Sequence, residues 1–150
     1  MTKIRITKYF SFEAAHILKN YDGPCRNIHG HSYGLAVTVK GSPDQNTSSP
    51  KIGMVMDFGN LKAIVRESII DVFDHSLILN VDDFNHKAGE IEKISGKVIW
   101  VGYQPTCENL LVDFSLRIKQ FLPGNIELFS LKLHETASSF AEWFQEDNAG

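Results

Sequence analysis

A cysteine and two histidines lie close together early in the chain, in the segment CRNIHGHSYGLAVTVKG. Cys25 precedes His29 by four residues, and a single glycine separates His29 from His31. Imidazole and thiolate groups both bind zinc, and a thiolate is in addition a nucleophile or a base. The segment therefore predicts a metal site, a reactive thiol, or both.

A third histidine is expected to join this pair. His29 and His31 should project from one side of a strand, because β-forming residues follow them and residues i and i+2 share a face. His16 ends an earlier alternating segment, FSFEAAH, and a hairpin would place that end beside the start of the next strand. Three neutral imidazoles with one open position are typical of catalytic zinc. Cys25 is open to three interpretations: a fourth ligand of a closed structural site, a base or nucleophile, or an inert thiol.

Two further sites have residue types suited to acid–base chemistry or ligand binding. Asp74 directly precedes His75, and a carboxylate beside an imidazole sets its tautomer and raises its basicity. Glu135 ends the alternating segment IELFSLKLHE and should share the face of Leu133. There it either accepts paired N–H donors from a ligand or lies at the rim in solvent. Cys107 has no such neighbours in the sequence and is expected to be inert.

The elements that must position these residues follow two periodicities. Strands are predicted in four segments that alternate apolar and polar residues: 4–12, 31–40, 126–135 and 139–144. A short strand is also predicted at 54–56. Helical spacing predicts one helix over 57–73, with Asp57 or Asn60 as its N-cap, and a second after Pro105, with Thr106 as its N-cap. The region from Val81 to Gln104 is long and irregular, with a short strand at 97–101. This order predicts an α+β domain in which two helices pack on one face of a four-stranded antiparallel sheet.

Composition and charge describe an ordinary globular chain. Its 150 residues are 43% hydrophobic and 22% charged, which fits a single domain over 1–150. The net charge of −3 favours neither nucleic acid nor a membrane surface as a partner. Because no apolar block of a membrane span or signal peptide is visible and only two cysteines are present, we expect a cytoplasmic protein with reduced thiols.

The ordered motifs FSFEAAH, C-x-x-x-H-G-H, GMVMDFGNLK, DH…LN, PT-x-EN and HET resemble the 6-pyruvoyl-tetrahydropterin synthase-like family. The similarity extends from about Lys3 to Glu135 or beyond. It implies the tunnelling fold (T-fold), in which trimers close their sheets into a barrel and two trimers stack into a homohexamer. It also implies a zinc enzyme that acts on the small molecule 7,8-dihydroneopterin triphosphate and requires no organic cofactor.

The resemblance implies roles for individual residues. The zinc ligands would be His16, His29 and His31. The catalytic groups would be Cys25, Asp74 and His75. Glu135 would hold the pterin ring through its amino group and ring N–H, and Thr106 would contact the pterin from a neighbouring subunit.

The spacing of Cys25 and His29 resembles one branch of the family, the bacterial 6-carboxy-5,6,7,8-tetrahydropterin synthases of queuosine biosynthesis. The favoured reaction is therefore a carbon–carbon lyase reaction that releases acetaldehyde and triphosphate. The alternatives are triphosphate elimination to the 6-pyruvoyl product, a structural zinc protein, and a pterin- or purine-binding module without turnover. The region from Val81 to Gln104 departs from the family pattern, because it is longer than the usual connection.

Overall fold

The computed structural model describes residues 1–19 and 27–150, so the predictions made for Cys25 lie outside the described residues. Six strands are present in chain order: β1 (Ile4–His16), β2 (His29–Gly41), β3 (Ser76–Asn80), β4 (Val98–Val101), β5 (Glu127–Thr136) and β6 (Ser139–Phe144). Five α-helices accompany them: α1 (Phe58–Val65), α2 (Asp71–Phe73), α3 (Val81–Phe84), α4 (Ala88–Ile94) and α5 (Cys107–Lys119). Within the described residues, each helix is too short or too polar to cross a bilayer.

The strands form one mixed sheet in the order β4-β3-β1-β2-β5-β6. The four predicted antiparallel strands are present as β1, β2, β5 and β6. The short strand predicted at 54–56 was wrong, because these residues lie in a bend before α1. The two short strands β3 and β4 extend the sheet in parallel beside β1. β4 was expected, whereas the apolar run SLILN of β3 is too short for its periodicity to distinguish a strand from a helix end. The α+β class is confirmed, and the sheet is larger than predicted.

The region Val81–Gln104 is more regular than predicted. It contains α3, a 3-10 turn at Asn85–Lys87, α4 and then β4. The side chain of Asn80 starts this region as an N-cap, because it accepts a hydrogen bond from the amide of Asp82 at 3.1 Å. These helices have four and seven residues, too few to give a clear helical periodicity in the sequence.

The apolar face of the β1–β2 hairpin packs against α1 and α5 and supports the histidines. Tyr33 and Phe12 lie opposite each other on the two strands and stack with ring centroids 4.9 Å apart. Phe114 of α5 contacts Phe12 edge to face at 5.9 Å. All three side chains are buried, and burial of a side chain of this size contributes about 1.5–3 kcal/mol. The rows that follow in the ladder, toward the end where the chain passes from β1 to β2, carry the histidines.

The helix after the hairpin contains an irregularity just before the predicted acid–base pair. Asp57, one of the two residues predicted as the N-cap, caps α1 by accepting a hydrogen bond from the amide of Gly59 at 2.6 Å. A π-helical turn at Arg66–Ile70 then separates α1 from α2. Such turns insert an extra residue and recur at functional sites. Here the amide of Asp74 donates to the carbonyl oxygen of Ile70, the last residue of this turn, at 2.8 Å.

Candidate metal centre

Three histidines converge where β1 ends and β2 begins. In the hairpin ladder His16 lies opposite His29, and Ala14 lies opposite His31. One nitrogen from each of the three rings lies within 4.8 Å of the other two. His16 is fully buried, whereas His29 and His31 are half-buried. The group therefore lies at the edge of the core and is accessible from one side.

Two backbone carbonyl groups decide which nitrogens are available to a metal. The Nδ1 atom of His16 lies 2.7 Å from the carbonyl oxygen of Pro105, and that of His29 lies 2.7 Å from the carbonyl oxygen of Asn27. A carbonyl oxygen only accepts, so each Nδ1–H donates, and the neutral ring keeps a lone pair on Nε2. The two Nε2 atoms are 2.9 Å apart, and two lone pairs at this distance repel each other. A cation between them would relieve that repulsion.

The third histidine completes this donor set. The Nε2 atom of His31 is buried and has no hydrogen-bond partner among the described residues. Burial lowers the pKa of His31, although the nearby Glu135 carboxylate raises it. Burial also lowers the pKa of His16, against the opposing effect of the Pro105 carbonyl. Since the neutral imidazole is the form that binds metals, the three residues fit a metal ion with an open coordination position.

Glu135 lies beside this cluster. Its Oε1 atom is 3.7 Å from Nε2 of His16 and 3.5 Å from Nε2 of His31. The pairing of β5 with β6 shifts register between His134 and Thr136, so Glu135 occupies a β-bulge. A bulge redirects a side chain locally and is common next to active sites. The Glu135 side chain is 29% exposed, so the carboxylate is accessible to a ligand that also approaches the histidines.

Tyr33 is a polar residue of this site that the motifs did not single out. It follows His29 and His31 on the same face of β2, and its ring lies 5.5 Å from that of His31. Its hydroxyl group is buried and has no hydrogen-bond partner among the described residues. Burial raises the pKa of Tyr33, and the Glu135 carboxylate raises it further. The i, i+2 alternation after the two histidines is the sequence signal that could have identified it.

Asp74 and His75 form a pair at the end of α2. The Nδ1 atom of His75 lies 3.1 Å from Oδ1 of Asp74. Adjacent side chains usually diverge, but His75 has a φ of 60°, and this left-handed backbone turns its ring back toward the carboxylate. The amide of Glu13 donates to Oδ1 of Asp74 at 2.8 Å, which lowers the pKa of Asp74. The pair is therefore a solvent-accessible imidazole held by an ionised carboxylate.

A cleft lies beside this pair, along β1 and β2. Its volume is about 300 Å³, and both His31 and His75 line it. Gly30 forms part of the floor, where a Cβ atom would lie 3.4 Å from the carbonyl oxygen of Ala14. Gly30 alternates with His29 and His31 along β2, so most of this cleft lies on the face of the sheet away from their rings.

The remaining predicted residues lie near α5. Thr106 is the N-cap of α5 as predicted, since its hydroxyl oxygen accepts a hydrogen bond from the amide of Asn109 at 3.2 Å. The carbonyl oxygen of Pro105, the residue before it, accepts the hydrogen bond from Nδ1 of His16. The thiol of Cys107 is buried and donates to the carbonyl oxygen of Leu133 at 3.2 Å. Burial raises the pKa of Cys107 to about 11, which agrees with an inert thiol.

Comparisons with known proteins agree with this geometry. The family described as 6-pyruvoyl tetrahydropterin synthase matches residues 5–146. The chain is 36% identical over 143 residues to the 6-carboxy-5,6,7,8-tetrahydropterin synthase of Haemophilus influenzae, covering 93% of this chain and 97% of that one. It is 34% identical over 142 residues to the synthase of the same name from Rickettsia conorii, covering 93% and 99%. The solved 6-pyruvoyl tetrahydropterin synthase of Caenorhabditis elegans superposes with a TM-score of 0.68 at 26% identity, covering 96% of each chain. The predicted T-fold of the subunit is thereby confirmed.

Proposed function

We propose a reaction for this chain from one premise, which is that it belongs to the 6-pyruvoyl tetrahydropterin synthase family. The proposed reaction converts 7,8-dihydroneopterin triphosphate to 6-carboxy-5,6,7,8-tetrahydropterin and releases acetaldehyde and triphosphate. It would take place in the cytoplasm, in the pathway to queuosine and related 7-deazapurines. The observation that carries the proposal is the cluster of three histidines with the carboxylate of Glu135 beside it. The names of the two bacterial relatives support the carboxy-forming branch.

Zinc is the proposed ion at His16, His29 and His31. Three neutral imidazoles that leave one position open are typical of catalytic zinc sites. A zinc ion bound there would supply Lewis-acid polarisation of a substrate oxygen. The protein's own contribution is orientation, because the bonds from Nδ1 of His16 and His29 to main-chain carbonyl groups fix both rings before a metal arrives.

Proton transfer is assigned to Asp74, His75 and Cys25. The imidazole of His75 is exposed enough to meet a substrate hydroxyl, and the ionised Asp74, 3.1 Å from its Nδ1 atom, orients the ring. Cys25 is proposed from the family resemblance as the base that removes a side-chain proton, with Arg26 next to it in the sequence as a group that would favour the thiolate. Its structural setting lies outside the described residues.

Glu135 is proposed to hold the pterin ring. A pterin presents an amino group and a ring N–H along one edge, and one carboxylate can accept both hydrogen bonds. The bulge on β5 directs this carboxylate toward the histidines, while 29% of the side chain remains exposed to an approaching ligand. Binding of the ring edge at Glu135 would place the side chain of the substrate near the metal-binding cluster.

Replacing Glu135 with glutamine should weaken pterin binding and leave the metal in place. The amide keeps the shape of the side chain but presents an N–H₂ group where the pterin needs an acceptor. A hydrogen bond to a charged group contributes about 1.5–3 kcal/mol, so affinity should fall roughly tenfold to a hundredfold. Calorimetric titration with a bare pterin, which lacks the triphosphate, measures this effect. Unchanged affinity would show that the pterin ring is not held by Glu135.

A homohexamer built as a dimer of trimers is proposed for the assembly, with Thr106 contacting the pterin of a neighbouring subunit. β4 and β6 form the two edges of the sheet, and exposed edges favour pairing with another chain. Three apolar side chains are exposed near one end of the hairpin: Ile4, Met54 and Phe58. Light scattering tests this assembly, and a monomer at working concentration would contradict it.

Product analysis tests the proposed reaction directly. Purified protein is incubated with 7,8-dihydroneopterin triphosphate, and the pterin product is identified by mass spectrometry. The 6-carboxy product together with acetaldehyde is expected. Formation of the 6-pyruvoyl product would show that the chain catalyses triphosphate elimination instead. Binding without any product would show that it is a pterin-binding module.

A further inference from the structure

The end of α2 exposes main-chain carbonyl groups, because a helix has no further amides to reach its last carbonyls. Two side chains from beyond the helix satisfy them. The ammonium group of Lys97 donates to the carbonyl oxygen of Asp71 at 2.9 Å and to that of Asp74 at 2.7 Å. The hydroxyl group of Ser76 donates to the carbonyl oxygen of Phe73 at 2.6 Å. A distant lysine therefore takes part in ending this helix.

The peptide group between Asp74 and His75 is held at both of its ends. Its carbonyl oxygen, on Asp74, accepts the hydrogen bond from Lys97. Its N–H, on His75, donates to the carbonyl oxygen of Glu13 at 2.6 Å. Rotation of this one peptide plane changes ψ of Asp74 and φ of His75, the two angles that set where the carboxylate and the imidazole project. Lys97 and β1 together fix that plane.

Lys97 is itself anchored in the sheet. Its carbonyl oxygen accepts a hydrogen bond from the amide of Leu77 at 2.9 Å. The next residue, Val98, begins β4 and lies opposite Leu77 in the parallel ladder. β3 directly follows the Asp74–His75 turn in the chain. Through Leu77 it holds the backbone of Lys97, and the side chain of Lys97 contacts that turn.

We infer that Lys97 is a positioning residue for the Asp74–His75 pair, and that the region Val81–Gln104 serves to deliver it. This inference rests on the proposed function, in which the pair exchanges protons with the substrate. His75 has a φ of 60°, a conformation that costs an L-residue free energy and persists only where surrounding contacts enforce it. The bond from Lys97 supplies one of those contacts, and its loss releases the turn toward ordinary backbone angles.

Replacing Lys97 with methionine tests the inference, because methionine keeps an unbranched stem of similar length and removes the charge and all donors. We expect kcat to fall about tenfold to a hundredfold, the scale of a small misplacement of catalytic groups. KM for the pterin triphosphate should remain near the parental value, because Lys97 has no assigned contact with substrate. Lys97→Arg should recover much of the loss, since a guanidinium can donate to both carbonyl groups.

Lys93→Met is the matched control, because Lys93 lies on the exposed surface of α4 in the same region, and it should keep parental kcat. Amide hydrogen exchange of His75 gives a readout that does not depend on turnover. Exchange at this amide should be faster in Lys97→Met, while the Val37 amide in the β1–β2 ladder keeps its protection. Parental kcat in Lys97→Met, or unchanged exchange at His75, would overturn the inference. If the parent protein were inactive, the proposed reaction would be wrong. The exchange data would still decide whether Lys97 holds the turn.

Discussion

Replacing His29 with alanine should abolish metal binding and turnover together. The substitution removes one of three imidazoles whose nitrogens lie within 4.8 Å of one another, and two remaining ligands are too few for a stable zinc site. The parent protein should contain about one zinc ion per chain. Elemental analysis by mass spectrometry measures the zinc content of parent and variant. The rate of product formation is measured on the same preparations.

His86→Ala is the matched control for this experiment, since His86 is an exposed histidine outside the cluster. It should keep the parental metal content and rate. Chelation of the parent protein should also lower its melting temperature, because a ligand that binds only the folded state stabilises it. Full metal occupancy in His29→Ala would show that the three histidines do not form the metal site.

Replacing His75 with alanine should reduce turnover strongly and leave the metal in place. A positioned general acid or base typically contributes about 10²–10⁴-fold to the rate, and kcat should fall by that order. The zinc content should not change, because the ring of His75 is paired with Asp74 and lies outside the cluster of His16, His29 and His31. Steady-state kinetics and elemental analysis together check this result. Loss of metal in His75→Ala would instead indicate that this imidazole supports the metal centre.

Cys25→Ala provides the complementary variant. As the proposed base, Cys25 should be needed for turnover but not for metal binding, whereas loss of zinc in this variant would favour a closed structural site.

Mixed Cys25→Ala and His75→Ala subunits report on the assembly. If the two groups act at one site from different subunits, mixing the two inactive proteins should restore part of the activity. Complementation of this kind would be absent if both groups belong to one subunit.

The sequence predicted the cluster of three histidines because their convergence depends on local periodicity. His29 and His31 share a strand face at a spacing of two residues, and His16 ends the strand that a hairpin brings beside them. The N-cap roles of Asp57 and Thr106 were also predictable, since a cap bonds an amide two or three residues away. Short strands such as β3 and short helices such as α3 were not, because four or five residues do not define a period.

By itself, the sequence determined which residue types this protein brings to one end of a hairpin, and thus the chemistry available there. The tertiary structure decided how those residues are oriented. His16 takes its tautomer from Pro105, 89 residues away, and Asp74 is held by Glu13, 61 residues away. Lys97 contacts Asp74 from the region Val81–Gln104, in which the sequence motifs indicated no function. Contacts between segments so distant in the chain leave no periodic signal, because they depend on how the helices and strands pack rather than on the spacing of neighbouring residues.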